Sequence, residues 1–157
     1  MAAGTWKVYT QAKRLIGSGS ITLGAGVFKM VLFRASASAN ILKVSNGGIS
    51  TYASVPGEIS AFGSYVTGGK NIGPATGHWT VGASVDRMKF TYTTTGIIFS
   101  ACASALNNIK YAMIRNSTGA GAGKALCFCT LSTAAFTITA GNTLTITPAS
   151  AGVFALV

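Results

Sequence analysis

Ile109–Arg115 (IKYAMIR), Asn116–Gly123 (NSTGAGAG) and Ala125–Leu131 (ALCFCTL) are the stretch whose reading decides the fold. The first run is apolar at nearly every position between its lysine and its arginine. An inner strand, covered on both faces, has that pattern. The middle run is glycine, alanine and small polar residues, the composition of a hairpin loop. The third run is apolar again, so it returns antiparallel to the first. An antiparallel hairpin whose first arm is an inner strand is the expectation.

Working outward, Val27–Ala35 (VFKMVLFRA) reads as a second strong strand. Its apolar residues do not alternate cleanly, so both of its faces are expected to be covered. Before it, Ser18–Leu23 reads as short and extended, and Gly24–Gly26 as a turn. After it, Ser36–Gly48 reads as a loop containing a helical turn. His78–Gly82 is a short strand. Arg87–Thr93 (RMKFTYT) alternates Met88, Phe90 and Tyr92 with Arg87, Lys89 and Thr91, which predicts one wet face. Gly96–Ala103 is expected to be a buried strand and Ser104–Asn108 a turn. Phe136–Ile138, Thr143–Thr147 and Val153–Val157 close the chain as short strands, split by Gly141-Asn142 and Pro148. Short strands at spacings of about 8–12 residues indicate an all-β fold. We expect a single antiparallel β-sandwich, jelly-roll-like. With no internal repeat and no linker, residues 1–157 form one domain.

The N-terminal segment Thr5–Ile16 (TWKVYTQAKRLI) places Trp6, Tyr9, Ala12 or Lys13, and Ile16 at helical spacing, with Thr5 able to cap and Gly17 to terminate. A short amphipathic helix is expected there. The alternative is an extended arm that Trp6 would pin to a neighbour. In either form residues 1–17 are a candidate docking arm, with Trp6, Lys7, Lys13 and Arg14 as its contact residues.

Ser50–Lys70 (STYASVPGEISAFGSYVTGGK) carries the chain's only glutamate, Glu58. Tyr52 and Val55 are spaced for one side of a helical turn, which Pro56 stops. Gly68-Gly69 is a tight-turn signal. A structured crossing segment is expected, its tyrosines tucked under the sheet and Glu58 paired to a basic side chain.

Only 9% of the residues are charged, against roughly 25% in typical soluble domains. Gly, Ala, Ser and Thr fill the difference, which suits a subunit that packs against other subunits. Twelve Lys and Arg face two acids, for a net charge of +10. That balance implies an acidic partner. The bases come singly, which argues against nuclear-signal or polybasic-tail readings. Lys70 and Arg87 are further candidates for contact with an acidic surface. No apolar stretch is long enough to span a membrane. No secretory signal is visible near Met1, so synthesis in the cytoplasm with free thiols is expected.

Chemistry-bearing residues are few. A hydrolase needs paired acids or a nucleophile with an oriented base. One His, one Glu and one Asp, at 78, 58 and 86, offer neither, so no enzymatic activity and no catalytic residues are expected. A His78/Asp86 pair can be drawn, but His78 after Gly77 reads more simply as a turn residue. Thr118–Leu126 fails as a phosphate-binding loop: Thr118 stands where the first Gly is needed, and Ala125 where a hydroxyl must reach magnesium. Cys127-Phe-Cys129 lacks the spacing of a zinc site, leaving buried inert thiols and neither metal nor cofactor. A disulfide to Cys102 would need an oxidising exposure. Asn116-Ser-Thr118 has the glycosylation pattern but no secretory context. Lys89-Phe90, Tyr92 and Lys110-Tyr111 interleave bases with aromatics, as a nucleic-acid-binding sheet would. The same alternation also describes a core face.

Several pieces taken together resemble a known group. They are STYASV followed by Glu58-Ile59, Gly63–Lys70 with its Gly-Ser-Tyr and Gly-Gly-Lys, Trp79–Val81, Asn108–Arg115, and the terminal TLTIT and GVFAL. The aromatic-Lys opening and the VFKMVLF strand complete the pattern. It is similar to the small virion structural proteins of tailed bacteriophages. The resemblance implies a capsid decoration, or cement, protein on the outer surface of the virion. It would be non-enzymatic and homo-oligomeric (dimer or trimer), bound between major capsid subunits. Two alternatives stay open: another virion part such as a tail, neck or fibre-base protein, and a basic nucleic-acid-binding β-barrel. The scattered bases lean against the last.

Overall fold

The chain is all-β, built from antiparallel sheets. The computed structural model describes residues 4–44, 49–61, 63–73, 78–81, 88–93, 95–101 and 104–156. In chain order the elements are β1 (Lys7–Val8), α1 (Thr10–Gly17), β2 (Phe28–Arg34), α2 (Ser38–Ile41), β3 (Lys70–Asn71), β4 (Trp79–Val81) and β5 (Met88–Phe90). They continue with β6 (Ile97–Ser100), β7 (Leu106–Asn116), β8 (Ala125–Thr130), β9 (Phe136–Ile138), β10 (Thr143–Ile146) and β11 (Phe154–Leu156).

The expected hairpin is present. β7 and β8 pair antiparallel, from Tyr111 opposite Thr130 to Arg115 opposite Ala125. The glycine-rich connection makes a 3-10 turn over Gly119–Gly121. On its other side β7 pairs β2, with Phe28 opposite Asn116 and Phe33 opposite Tyr111. The main sheet therefore runs β1-β8-β7-β2-β3, and β9 also pairs β7. Along the same edge of β7, β9 takes over where β8 ends, with Phe136 opposite Ile109.

Phe28, Met30, Val31, Leu32 and Phe33 are all fully buried, as are Ala112, Met113 and Ile114 opposite them. Neighbouring strand residues point to opposite faces. Consecutive burial therefore means that both faces of β2–β7 are covered. Each large side chain so buried contributes about 1.5–3 kcal/mol. Two small sheets supply further strands: β10-β6 and β11-β5-β4. Phe90 of β5 stands edge-on to Phe28, with ring centroids 4.9 Å apart.

The outer edge of β2 is closed in three pieces. β3 pairs Lys29 and Met30. The amide of Ile59 donates to the carbonyl of Leu32, and the amide of Arg34 to that of Gly57. Between them, the Leu32 N–H finds a side chain, the Tyr65 hydroxyl. This accounts for the Ser50–Lys70 crossing segment. Its first part makes the expected helical turn, a 3-10 turn over Tyr52–Ser54. Its Gly68-Gly69 turn closes with the Gly69 amide on the Val66 carbonyl, both glycines having positive φ.

Four expectations change. The N-terminal helix begins at Thr10, not Thr5. Lys7 and Val8 are instead hydrogen-bonded to β8, so this part is neither helix nor free arm. The spacing of Trp6 and Tyr9 fits a helix, but the edge of β8 competes for the same backbone and wins. Residues 18–23 are turn rather than extended, folded back so that the Ile21 amide reaches the Leu15 carbonyl. β6 is buried on one face only: Ile97 and Phe99 are inside while Ile98 is 45% exposed. Finally, the expected turn at Ser104–Asn108 is partly strand. β7 starts at Leu106 and carries Asn108 at φ 66°, with a register shift there against β9. Asn tolerates the left-handed region, so a sequence that reads as a turn serves as a bulge.

Gly69 tests this packing. A Cβ there would lie 2.5 Å from the Met30 carbonyl oxygen and 2.8 Å from Val31, at φ 92°. Gly119 has φ 65° but nothing within 4 Å of its Cβ position. Gly69→Ala is expected to lower the urea-unfolding free energy by about 2–4 kcal/mol, combining strain and overpacking. Gly119→Ala should cost only about 1 kcal/mol. Equal losses would mean that close packing at Gly69 contributes nothing.

Candidate functional site

Glu58 sits at the hub of the crossing segment, but not in an ion pair. One carboxylate oxygen accepts from the Tyr65 hydroxyl at 2.7 Å and from the Gly68 amide at 2.6 Å. Among the described residues no basic side chain bridges to it, which corrects the expected pairing. Two neutral donors from the same segment hold one oxygen of the acid, so local chain rather than a distant cation fixes its position. Tyr65 is buried and uses its hydroxyl twice, accepting from Leu32 and donating to Glu58. Burial, followed by the Glu58 hydrogen bond, raises the ionisation of this phenol far above its usual range.

The Gly68 carbonyl continues the chain of contacts. It accepts from Arg115 Nε at 2.8 Å, and the guanidinium lies over the Tyr52 ring with its central carbon 4.3 Å from the centroid. Lys29 stands directly opposite Arg115 in the β2–β7 register, so both side chains leave the same face. Both are half-buried. Sequence reasoning did not single out this pair. Each base looks isolated in the chain, and only the strand register brings them together.

The bases nominated from sequence fall in different places. Lys7, Lys13 and Arg14 are exposed, at the start of β1 and on α1. Trp6 is 8% exposed and stands edge-on to Tyr92, its centroid 6.4 Å away. Its ring is used inside its own chain, so it is not available to pin an arm to a neighbour. Lys70 reaches across to the Ile98 carbonyl at 2.7 Å, tying β3 to β6. Arg87 and Asp86 lie outside the described residues, as does Cys102.

His78 lies at the bend before β4, as expected, but its ring is in the core. It is 3% exposed, packed against Phe28 and Phe90 with centroids 5.7 Å away in each case. Its Nδ1 lies 3.0 Å from the Thr91 carbonyl, so that nitrogen carries the proton. Nε2 is buried without a hydrogen-bond partner. Phe90, Tyr92 and Tyr111, the aromatics that would stack bases, are all buried. The sequon Asn116 is 2% exposed, and its side-chain oxygen accepts from the Thr118 amide. Among the described residues no group of three or more His, Cys, Asp or Glu is placed to share a metal ion.

Cys127 and Cys129 are buried free thiols. Burial pushes Cys127 well above its usual range and Cys129 up to about 12. A thiol that stays protonated is a poor nucleophile and a poor ligand.

Two predictions follow from these placements. Tyr65→Phe strands the Leu32 amide and removes one donor from Glu58, and should cost about 2 kcal/mol in urea unfolding. A double-mutant cycle with Glu58→Gln should return a coupling near 1 kcal/mol. No coupling would mean that the hydroxyl serves Leu32 alone. The thiols set an alkaline limit. The unfolded chain releases their protons near pH 9.0, while the folded chain keeps them, Cys129 until about 12. The native state then binds more protons, so stability falls as pH rises above about 9. The slope is about 1.4 kcal/mol per pH unit for each thiol ionised only when unfolded. In a Cys102→Ser background, replacing Cys127 and Cys129 by Ala should delay the onset of this fall, and an unchanged onset would clear the thiols.

Comparison of the chain with protein families, with curated proteins and with solved structures finds no match.

Proposed function

We propose that this protein is a non-enzymatic decoration protein of a tailed-phage capsid, bound to the outer shell across joints between major capsid subunits. The observation that carries the reading is the disposition of charge. The net charge is +10, and the one carboxylate among the described side chains, Glu58, is held by its own segment. Exposed Lys7, Lys13 and Arg14 meet no acid of their own among the described residues. A surface of this kind is complementary to an acidic protein lattice. The sequence is rich in Gly, Ala, Ser and Thr, and small side chains lose little rotamer entropy on docking. The sequence resemblance points the same way. On this reading the main sheet and the two smaller sheets are layers of a jelly-roll-like sandwich, and copies associate as dimers or trimers. Binding that favours the assembled lattice over free subunits stabilises the shell by mass action.

Nucleic-acid binding through a stacking face has less support, because Phe90, Tyr92 and Tyr111 are buried.

Copy number in purified particles tests the proposal. Quantitative mass spectrometry against the major capsid protein should give a ratio near one or a simple fraction of it. A handful of copies per particle would move the protein to the tail, neck or fibre base. Absence from particles would sink the virion reading altogether.

A further inference from the structure

We infer that Lys29 and Arg115 together form an oxyanion site that takes a carboxylate side chain presented by an acidic protein partner. The choice of partner rests on the shell-binding reading above; the site itself rests on geometry.

The strand register puts the two cations directly opposite one another on one face of the sheet. Like charges so placed repel and destabilise a strand pair unless an anion lies between them. Among the described residues no carboxylate is ion-paired with either cation; the recorded hydrogen bonds of Glu58 run to Tyr65 and Gly68. Lys29 has no hydrogen-bond or ion-pair partner among the described residues.

Arg115 is held as a binding group would be. Its Nε is fixed on the Gly68 carbonyl and its central carbon lies over the Tyr52 ring. Gly68 permits this close approach, for a Cβ there would stand 3.1 Å from Arg115 Nη2. The terminal nitrogens make no further protein hydrogen bond among the described residues. A guanidinium fixed from one side offers its remaining donors as a rigid fork, the geometry that suits a carboxylate. Little side-chain entropy then remains to be lost on binding. Half-burial of both cations also weakens solvent screening relative to fully exposed bases such as Lys43.

Phosphate shares this chemistry. A single strand that stacks its bases would find the Tyr52 face already covered by the guanidinium, and a contact to phosphate alone is separated by the oligodeoxynucleotide arm of the test. A carboxylate needs nothing beyond the two cations.

The test is a titration of isotope-labelled protein with a hexaglutamate peptide, following the Arg115 Nε–H resonance. A saturable shift is expected. Lys29→Gln shortens the side chain by one atom, removes the charge, and should weaken the peptide about tenfold. Lys43→Gln, with the same change in net charge at an exposed position, should weaken it by less than about twofold. Equal weakening by both variants, or no saturable shift, overturns the site. Tighter binding of an oligodeoxynucleotide of equal charge overturns the assignment to carboxylate. Particle retention separates the two readings. If the peptide results hold while the protein is absent from particles, the carboxylate site stands and the shell reading falls.

Discussion

The outer edge of β2 has to be sealed, and the rest of the architecture depends on how that is done. β2 is buried on both faces, so its backbone edge lies deep in the protein and cannot turn to water. An open edge there would leave amides without partners and offer a template for aggregation. No single strand covers it. β3 serves one end, residues 57–59 serve the other, and the Tyr65 hydroxyl serves Leu32 between them. A side chain stands in for a missing strand partner. That hydroxyl is itself held by Glu58, and Glu58 by the Gly68 amide, so sheet edge, acid and turn form one connected unit.

The same unit reaches function-bearing geometry. Gly68 turns its amide toward Glu58 and its carbonyl toward Arg115. One peptide segment thus links the buried hydrogen-bond network to a half-buried cation. The positive φ of Gly68 and Gly69 allows the turn, and the missing Cβ atoms allow its close approach to Arg115 on one side and to Met30 and Val31 on the other. Stability and surface charge are therefore not separable here. A change at Gly68 would act on the sheet edge and on the guanidinium together.

What could be read from the chain follows the range of the interactions. The β7–β8 hairpin was legible because a continuous apolar run, a glycine-rich loop and a second apolar run are adjacent in sequence. So was β2, because failed alternation signals two covered faces. The start of α1 was not, since Trp6 and Tyr9 fit helical spacing while the deciding partner, β8, lies more than a hundred residues away. Asn108 reads as a turn by composition, and only its place in the ladder makes it a bulge. Glu58 was found as singular, but its neutral partners were hidden: nothing in composition distinguishes a carboxylate held by a tyrosine and an amide from one held by a lysine. The nominated bases show the same limit. Lys70 reads as a surface cation and is tied to Ile98, whereas Lys29 and Arg115 read as ordinary strand residues and face each other.

The charge pattern brings these points together. A chain with twelve bases and two acids carries self-repulsion that opposes folding. Scattering the bases keeps most of them apart, and at 0.15 M salt the screening length is only about 8 Å. Lys29 and Arg115 are the exception, because strand pairing places them directly opposite one another on one face of the sheet. Arg115 has an internal role on Gly68 and Tyr52, whereas no described partner accounts for a cation at Lys29, and an uncharged residue there would remove the repulsion. Such a pair, in a fold that ties its one described acid to internal donors, makes sense if the missing anion comes from outside. The unbound protein then carries a local strain that a carboxylate relieves. Binding energy drawn from that relief adds to affinity without enlarging the interface.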